Sequence, residues 1–336
     1  MTDTAHLTLD KAQALAVRAL QSAGVDAANA ASTARALVAA EADGQKGHGL
    51  SRVPSYALQA RVGKVDGHAR PTLERAAPAA VRIDGALGFA YPALDMAIEA
   101  LVPLARTNAI AAAVIRRSHH FGQAGAHAER LAEQGLIALV FGNSPKGMAF
   151  WGAAKPRMGT NPIAFASPLP DQPPLVIDLA LAQAARGRIL AAQQAGHSIP
   201  EGWAVDAQGQ PTTDPNAALK GAMLPIGGAK GSALALMVEI LSAALAGAAF
   251  GWEASSLFDD QGGPPDLGQT LLALDPEALS GGAFMSRMAA MVAAIDEDDG
   301  ARLPGTRRLT ARAKAKAEGL VIPAVLHAEI VALAGG

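Results

Sequence analysis

The sequence contains no cysteine, which removes disulfides, thiolate metal sites and a cysteine nucleophile, and fits a reducing compartment. Aromatic residues are scarce at 4%, and charged residues reach only 17% with a formal net charge of −2. Without a basic excess, nucleic acid and an anionic membrane are poor partners, and small-molecule chemistry is the expectation. A long uncharged apolar run is missing too. The most apolar stretch, Ser232 to Phe250, carries Glu239 and reads as a buried helix. The opening residues MTDTAHLTLDKAQALAVRAL lack the basic start and continuous apolar run of a signal peptide, so a cytoplasmic protein is expected. Nor does any GxGxxG follow a strand-like segment, and an ordinary Rossmann dinucleotide site is not supported.

Half of the 336 residues are hydrophobic and alanine dominates, which suits close packing of helices and gives ample material for a core. Thr8 or Asp10 can cap a helix running to Ser22, and Asp26 a second one to Glu41. The glycine-punctuated run DGQKGHGLSR follows, then a third helix over Val53 to Val62. Further on, AAVRIDG, IAAAVIRRS, LIALVFGNS, IAFASPL and LVIDLAL read as strands, interleaved with helices over Tyr91 to Thr107 and Gln123 to Gln134. Gly196 to Pro215 is turn-rich. Two long helices, Gly231 to Ala246 and Gly281 to Asp296, bracket a loop at Phe258 to Gly268, and a last helix covers Pro323 to Ala334. No flexible linker separates parts of the chain. We therefore expect lobes: a helical one over 1–75, a sheet-containing one over 76–230, and a helical one over 231–336 that packs back on the body.

Several short segments carry chemistry. His48 lies between two glycines, and Arg52 follows four residues on, so one helical turn would set a carboxylate-binding fork beside an imidazole that exchanges protons near neutrality. A helix C-cap with a surface His and Arg is the plainer reading. His119 and His120 follow a strand and precede FGQAG at a helix start, a common position for a ligand loop. Adjacent histidines on a turn point apart, so no metal is expected from them. Thr160, in the turn GTNP, could donate its hydroxyl to a carboxylate. PIGGAKGSA, with Lys230 and Gly231, lacks P-loop spacing but can hold phosphate at a helix N-terminus. RLPGTRR sets Arg302, Arg307 and Arg308 on a Pro–Gly turn, either a phosphate site or a solvated basic loop.

In this order GHGLSR, SHHFGQAG, GTNPIAFASP, GWAVDAQGQPTTDP, PIGGAKGSALALMVEIL and RLPGTRR resemble the malate/L-lactate dehydrogenase family that does not use a Rossmann fold, from about residue 8 to 330. Within it, DGQKGHGLSRVPSY and FDDQGGPPDLGQTLLALDP look most like the ketimine reductases, which reduce Δ1-piperideine-2-carboxylate and Δ1-pyrroline-2-carboxylate with NADPH. The resemblance implies an α/β fold whose mostly antiparallel central sheet holds NADPH (NADH less well), flanked by helical lobes, and a homodimer. It also implies roles. His48 would be the proton donor, and Arg52 and Thr160 would bind the substrate carboxylate. His120, Phe121, Gly122, Gln123, Ala124, Asp178, Leu179, Ala180, Lys230, Gly231, Arg302, Gly305, Arg307 and Arg308 would contact the cofactor.

Two positions depart from the family pattern. Gly47 stands where a serine usually precedes the histidine, and Arg188 where an acid often follows the Arg–Gly pair. Both usual residues belong to a proton relay. A cyclic imine can arrive already protonated, whereas a 2-hydroxy acid needs a poised base, so the missing relay points to imine reduction. The rival expectations are a malate, lactate or sulfolactate type of 2-hydroxyacid dehydrogenase, and a nucleotide-binding homologue with impaired catalysis.

Overall fold

A computed structural model describes residues 3–335; residues 1, 2 and 336, at the outer ends of the first and last expected lobes, lie outside the described residues. The first two helices form where their caps dictate. Thr8 accepts from the Lys11 N–H at the start of Leu9–Ser22, and Asp26 accepts from the Asn29 N–H at the start of Ala27–Ala42. Between the second helix and the third, Val53–Arg61, the chain makes two 3₁₀ turns, Lys46–His48 and Leu50–Arg52.

The largest sheet has seven strands. In spatial order they are Thr72–Ala77, Ala80–Asp84, Ile110–Ser118, Leu267–Leu274, Ile137–Gly142, Ile163–Leu169 and Gln172–Leu179. Only Ala80–Asp84 and Ile110–Ser118 pair in parallel; the other neighbours are antiparallel. The fold is thus mixed α/β with a mostly antiparallel main sheet. Helices Ala90–Asn108 and Ala124–Ala132 cover one face, burying Leu94, Leu101 and Leu131 against Ile83, Ile115, Val140 and Leu271. The other face meets helix Ala229–Glu239, where Val238 packs with Phe141, Met148 and Met158. A smaller five-stranded sheet of short strands includes Met148–Ala149 and Pro156–Met158.

Several elements differ from expectation. Leu267–Leu274, whose first two residues fall in the expected loop, is the middle strand of the main sheet and is buried on both faces, so it lacks the alternation that marks a half-exposed strand. RLPGTRR is not a turn throughout: helix Thr306–Glu318 begins inside it, which puts Arg307 and Arg308 in its first turn. The expected helix from Gly231 starts at Ala229 and passes after Glu239 into a π-helical turn, Ile240–Ala244. The expected helix at Gly281 starts at Phe284, after a short helix Pro276–Ser280. Near the start of the chain, Thr4–Leu7 pairs antiparallel with Leu320–Pro323, and one core joins Leu15, Leu37 and Tyr56 to Leu320, Ile322 and Ile330. Among the described residues, no helix is long and apolar enough to cross a membrane.

Candidate active site

The GHGLSR segment is pinned from below. Glu41, buried in the last turn of its helix, accepts from the Leu50 N–H at 2.9 Å. The backbone passes so close that a Cβ on Gly49 would lie 2.2 Å from the Glu41 carboxylate oxygen and 3.0 Å from the Glu41 Cα, so a side chain there would displace the carboxylate that holds the Leu50 N–H. Burial pushes the Glu41 carboxyl up, partly offset by that hydrogen bond and by Lys46. The two 3₁₀ turns then carry His48 and Arg52, near enough for the Arg52 charge to act on the imidazole.

Arg52 donates from Nε to the Gly47 carbonyl at 2.7 Å, which fixes the plane of the guanidinium. Its terminal nitrogens make no hydrogen bond among the described residues. One face of the group is covered by Phe258, whose ring centroid lies 4.8 Å from Cζ. An aligned fork with open nitrogens and no acidic partner is what a carboxylate ligand requires. Phe258 reaches it on a loop tied down by Lys64, a lysine with no exposed side-chain surface. Lys64 donates to the Gln261 carbonyl at 2.6 Å and to the carbonyl and carboxylate of Asp259. Gln59 adds a bond to the same Asp259 carbonyl.

His48 stacks on His120, with ring centroids 5.3 Å apart and an interplanar angle of 21°. Burial, helped by the Arg52 charge, pushes His48 down to about 4, so it enters at neutral pH as a neutral imidazole. Burial also holds His119 down to about 3 and His120 well below its usual value. His119 bonds Gln59 through Nε2, and His120 bonds Tyr56 through Nδ1. Gly47 has open space where a side chain would go, and Arg188 lies over Trp203, with Cζ 4.7 Å from the ring centroid.

The remaining expected residues fall into two further groups. Thr160 sits in a turn whose backbone is held by Ser144 and, through Asn161, by the buried Glu239. Its carbonyl accepts from Leu181, whose own carbonyl accepts from Ile226, so the GTNP turn, the end of the LVIDLAL strand (Leu179, Ala180) and the PIGGAKG segment form one backbone network. There Gly227 and Gly228 both have positive φ, and a Cβ on Gly231 would lie 1.7 Å from the Ile226 carbonyl; Lys230 is exposed. Such a tight glycine turn at a helix start leaves N–H groups free for phosphate.

The third group lies at the start of Ala124–Ala132. Asp178 accepts from the Gly125 N–H at 2.7 Å, and Gly305 packs against the Val176 carbonyl. Gln123 donates to Asp43 at 2.9 Å, and His127 bonds the Phe121 carbonyl next to Gly122. Arg302 and Arg307 are exposed. Arg308 is buried, and its guanidinium is taken by Glu129 at 2.5 and 2.9 Å and by Asp43 at 3.3 Å. Arg312, which nothing in the sequence singled out, completes this cluster against the same two acids. No group of three metal-ligating side chains converges among the described residues.

Residues 7–331 match the family model for malate/L-lactate dehydrogenase. A (2R)-3-sulfolactate dehydrogenase (NADP(+)) of Chromohalobacter salexigens is 48% identical over 98% of both chains. A Δ1-pyrroline-2-carboxylate/Δ1-piperideine-2-carboxylate reductase of Pseudomonas aeruginosa is 40% identical over 98% of this chain and 99% of its own. Among solved structures, Δ1-piperideine-2-carboxylate reductase from Pseudomonas syringae pvar. tomato superposes with a TM-score of 0.93 at 38% identity, covering 98% of this chain and 99% of that one. With a family match over almost the whole chain and relatives of this identity, the protein belongs to the malate/L-lactate dehydrogenase family and is an oxidoreductase.

Proposed function

We propose that the protein is an NADPH-dependent reductase of cyclic imino acids, turning Δ1-piperideine-2-carboxylate and Δ1-pyrroline-2-carboxylate into L-pipecolate and L-proline. The observation that carries this reading is the pairing of one open guanidinium, Arg52, with a neutral His48 that has no relay behind it. Arg52 holds the substrate carboxylate, and Thr160 supports it with its hydroxyl. The Phe258 ring beside the fork offers an apolar wall for the methylenes of a cyclic imine. A neutral imidazole with a depressed proton affinity is a weak base for alcohol oxidation. It is sufficient for a substrate that arrives as an iminium, where it only needs to hydrogen-bond the ring nitrogen or pass a proton through water.

The glycine turn at Gly227–Gly231 with Lys230 fits a phosphate-bearing cofactor, as do the irregular segment His120–Ala124 at a helix start, the exposed strand end at Asp178–Ala180, and the exposed Arg302 and Arg307 beside Gly305. Arg308, engaged with Glu129, shapes that last turn from below, and Arg302 and Arg307 are the better charges for a 2′-phosphate. NADP named for the Chromohalobacter relative agrees with this choice over NAD. When bound, the cofactor supplies hydride to C2 of the substrate. In this reading the lobe 76–230 forms most of a non-Rossmann cofactor site and includes Lys230, 1–75 brings His48 and Arg52, and 231–336 supplies Gly231, Phe258 and the arginine turn. We place the enzyme in the cytoplasm as a homodimer. The outer side of the helix from Ala229 supports the dimer, since Leu234, Met237, Ile240 and Leu245 are all exposed there.

A second reading, 3-sulfolactate dehydrogenation, is favoured by the 48% identity to the Chromohalobacter enzyme. Following NADPH oxidation with the two cyclic imines, 3-sulfopyruvate, oxaloacetate and pyruvate separates them. Faster turnover of the imines is expected; a higher kcat/KM for 3-sulfopyruvate would replace the first reading with the second.

A further inference from the structure

Beneath the cleft lies a chain of three buried groups that the mechanism above does not use. The Tyr91 hydroxyl stands 3.3 Å from the Tyr56 hydroxyl, and the Tyr56 hydroxyl 2.6 Å from Nδ1 of His120. Tyr56 has no exposed surface and Tyr91 almost none. His120 in turn stacks on His48, and its Nε2, which makes no hydrogen bond among the described residues, is not fully sealed, unlike Nδ1 of His48.

Protons along this chain can be arranged in two ways. In the first, Nδ1 of His120 carries the hydrogen, donates to Tyr56, and Tyr56 donates to Tyr91. The Tyr91 O–H is then left in the interior with no acceptor, which disfavours this arrangement. In the second, Tyr91 donates to Tyr56 and Tyr56 donates to Nδ1, so both hydroxyl hydrogens are satisfied and His120 must carry its own hydrogen on Nε2. Burial keeps both phenols protonated, with Tyr56 pushed up to about 12, and holds the imidazole neutral, so neither end of the chain is lost near neutral pH.

We propose that Tyr56, oriented by Tyr91, is a positioning residue that locks His120 as the Nε2–H tautomer and so makes it a neutral hydrogen-bond donor facing the cleft beside His48. The ligand it takes is an acceptor oxygen: the carboxylate of the substrate or the carboxamide of the nicotinamide. Two stacked imidazoles then divide their work. His48 deals with the substrate's proton, and His120 only orients, because its Nδ1 is committed to the phenol. This assignment holds for an imine or a keto acid substrate alike.

The test uses full-length protein labelled with 15N at histidine, with the His120 resonances identified by their loss in His120→Gln. The wild type should show a protonated Nε2 and a bare Nδ1 at His120. Tyr56→Phe keeps the ring that packs on Phe89 and His119 but removes the hydroxyl. It should give a mixture of tautomers and lower kcat/KM about tenfold with little change in Tm. Tyr91→Phe should shift the tautomers in the same direction, and serves if Tyr56→Phe does not fold. A weakened Kd for NADPH in Tyr56→Phe identifies the carboxamide as the acceptor; a raised substrate KM with unchanged NADPH binding identifies the carboxylate. Nδ1–H at His120 in the wild type, or an unchanged tautomer and unchanged kcat/KM in a folded Tyr56→Phe, overturns the proposal.

Discussion

Arg52 is fixed on three sides: its Nε by the Gly47 carbonyl, one face by Phe258, and its place in the chain by the turn over Glu41. Lysine in its place keeps the charge but loses both the fork and the stacking, so Arg52→Lys should raise the substrate KM by about tenfold or more with a smaller change in NADPH affinity. Steady-state kinetics against fluorescence titration of NADPH checks this, and an unchanged KM rejects the clamp. Phe258→Ala should raise the KM for the cyclic imines about fivefold, from the lost apolar wall together with the lost cation–π support of Arg52, and raise that for 3-sulfopyruvate less, since only the support of Arg52 is lost there. Gly47→Ser restores the hydroxyl of the usual relay in a position with free space. It should increase oxidation of 2-hydroxy acids relative to imine reduction, measured as the ratio of the two kcat/KM values.

His48 and Arg52 were legible because their relation is local, four residues apart, although two short 3₁₀ turns and not one helical turn carry them. Phe258 and Tyr56 were not, since no spacing in the sequence says which distant aromatic will cover a guanidinium or bond a histidine.

At the scale of elements, helices with good caps were readable, as were apolar strands such as LIALVFGNS, while the middle strand of the main sheet was not. Thr8 and Asp26 begin their helices as their chemistry requires. Leu267–Leu274 was hidden because a strand with neighbours on both edges and cover on both faces has no polar side to alternate with. Its importance can be measured. Leu271, fully buried between Ala113 and Val140 in register, should cost about 2–5 kcal/mol when changed to Ala, seen as a lower midpoint in urea. The arginine turn misled for a related reason. Arg308 belongs to a helix, and its charge is used by one acid on a second helix, Glu129, and one just past the end of a third, Asp43, contacts that only the folded chain brings within reach.

For the molecule as a whole, acid is the expected weakness. His48, His119 and His127 are held by burial at about 4, 3 and 4, below the value of an unfolded histidine. The unfolded chain therefore binds more protons, and the stability these groups confer is complete above pH 6.5 and lost as pH falls toward 4 or 3. Each can contribute a slope of up to about 1.4 kcal/mol per pH unit in that window. Glu129 adds to it. Burial raises its carboxyl, but the bonds from Arg308 and Arg312 outweigh this and leave it lowered, so its share is lost only as pH drops through the carboxylate range. Calorimetry from pH 7 to 4 should show a steep fall in Tm, with a shallower slope in His127→Gln. A flat profile would contradict the buried neutral state of these rings.

The strand Leu267–Leu274 also bears on how the chain is made. Its two neighbours, Ile110–Ser118 and Ile137–Gly142, leave the ribosome long before it does, and each waits with one long edge unpaired. Until residue 274 emerges, the nascent chain has two half-sheets with nothing to join them, and apolar edges that could pair with a neighbouring chain. Fragments ending before this strand should therefore aggregate rather than fold, even though they contain His48, Arg52 and most of the cofactor loop.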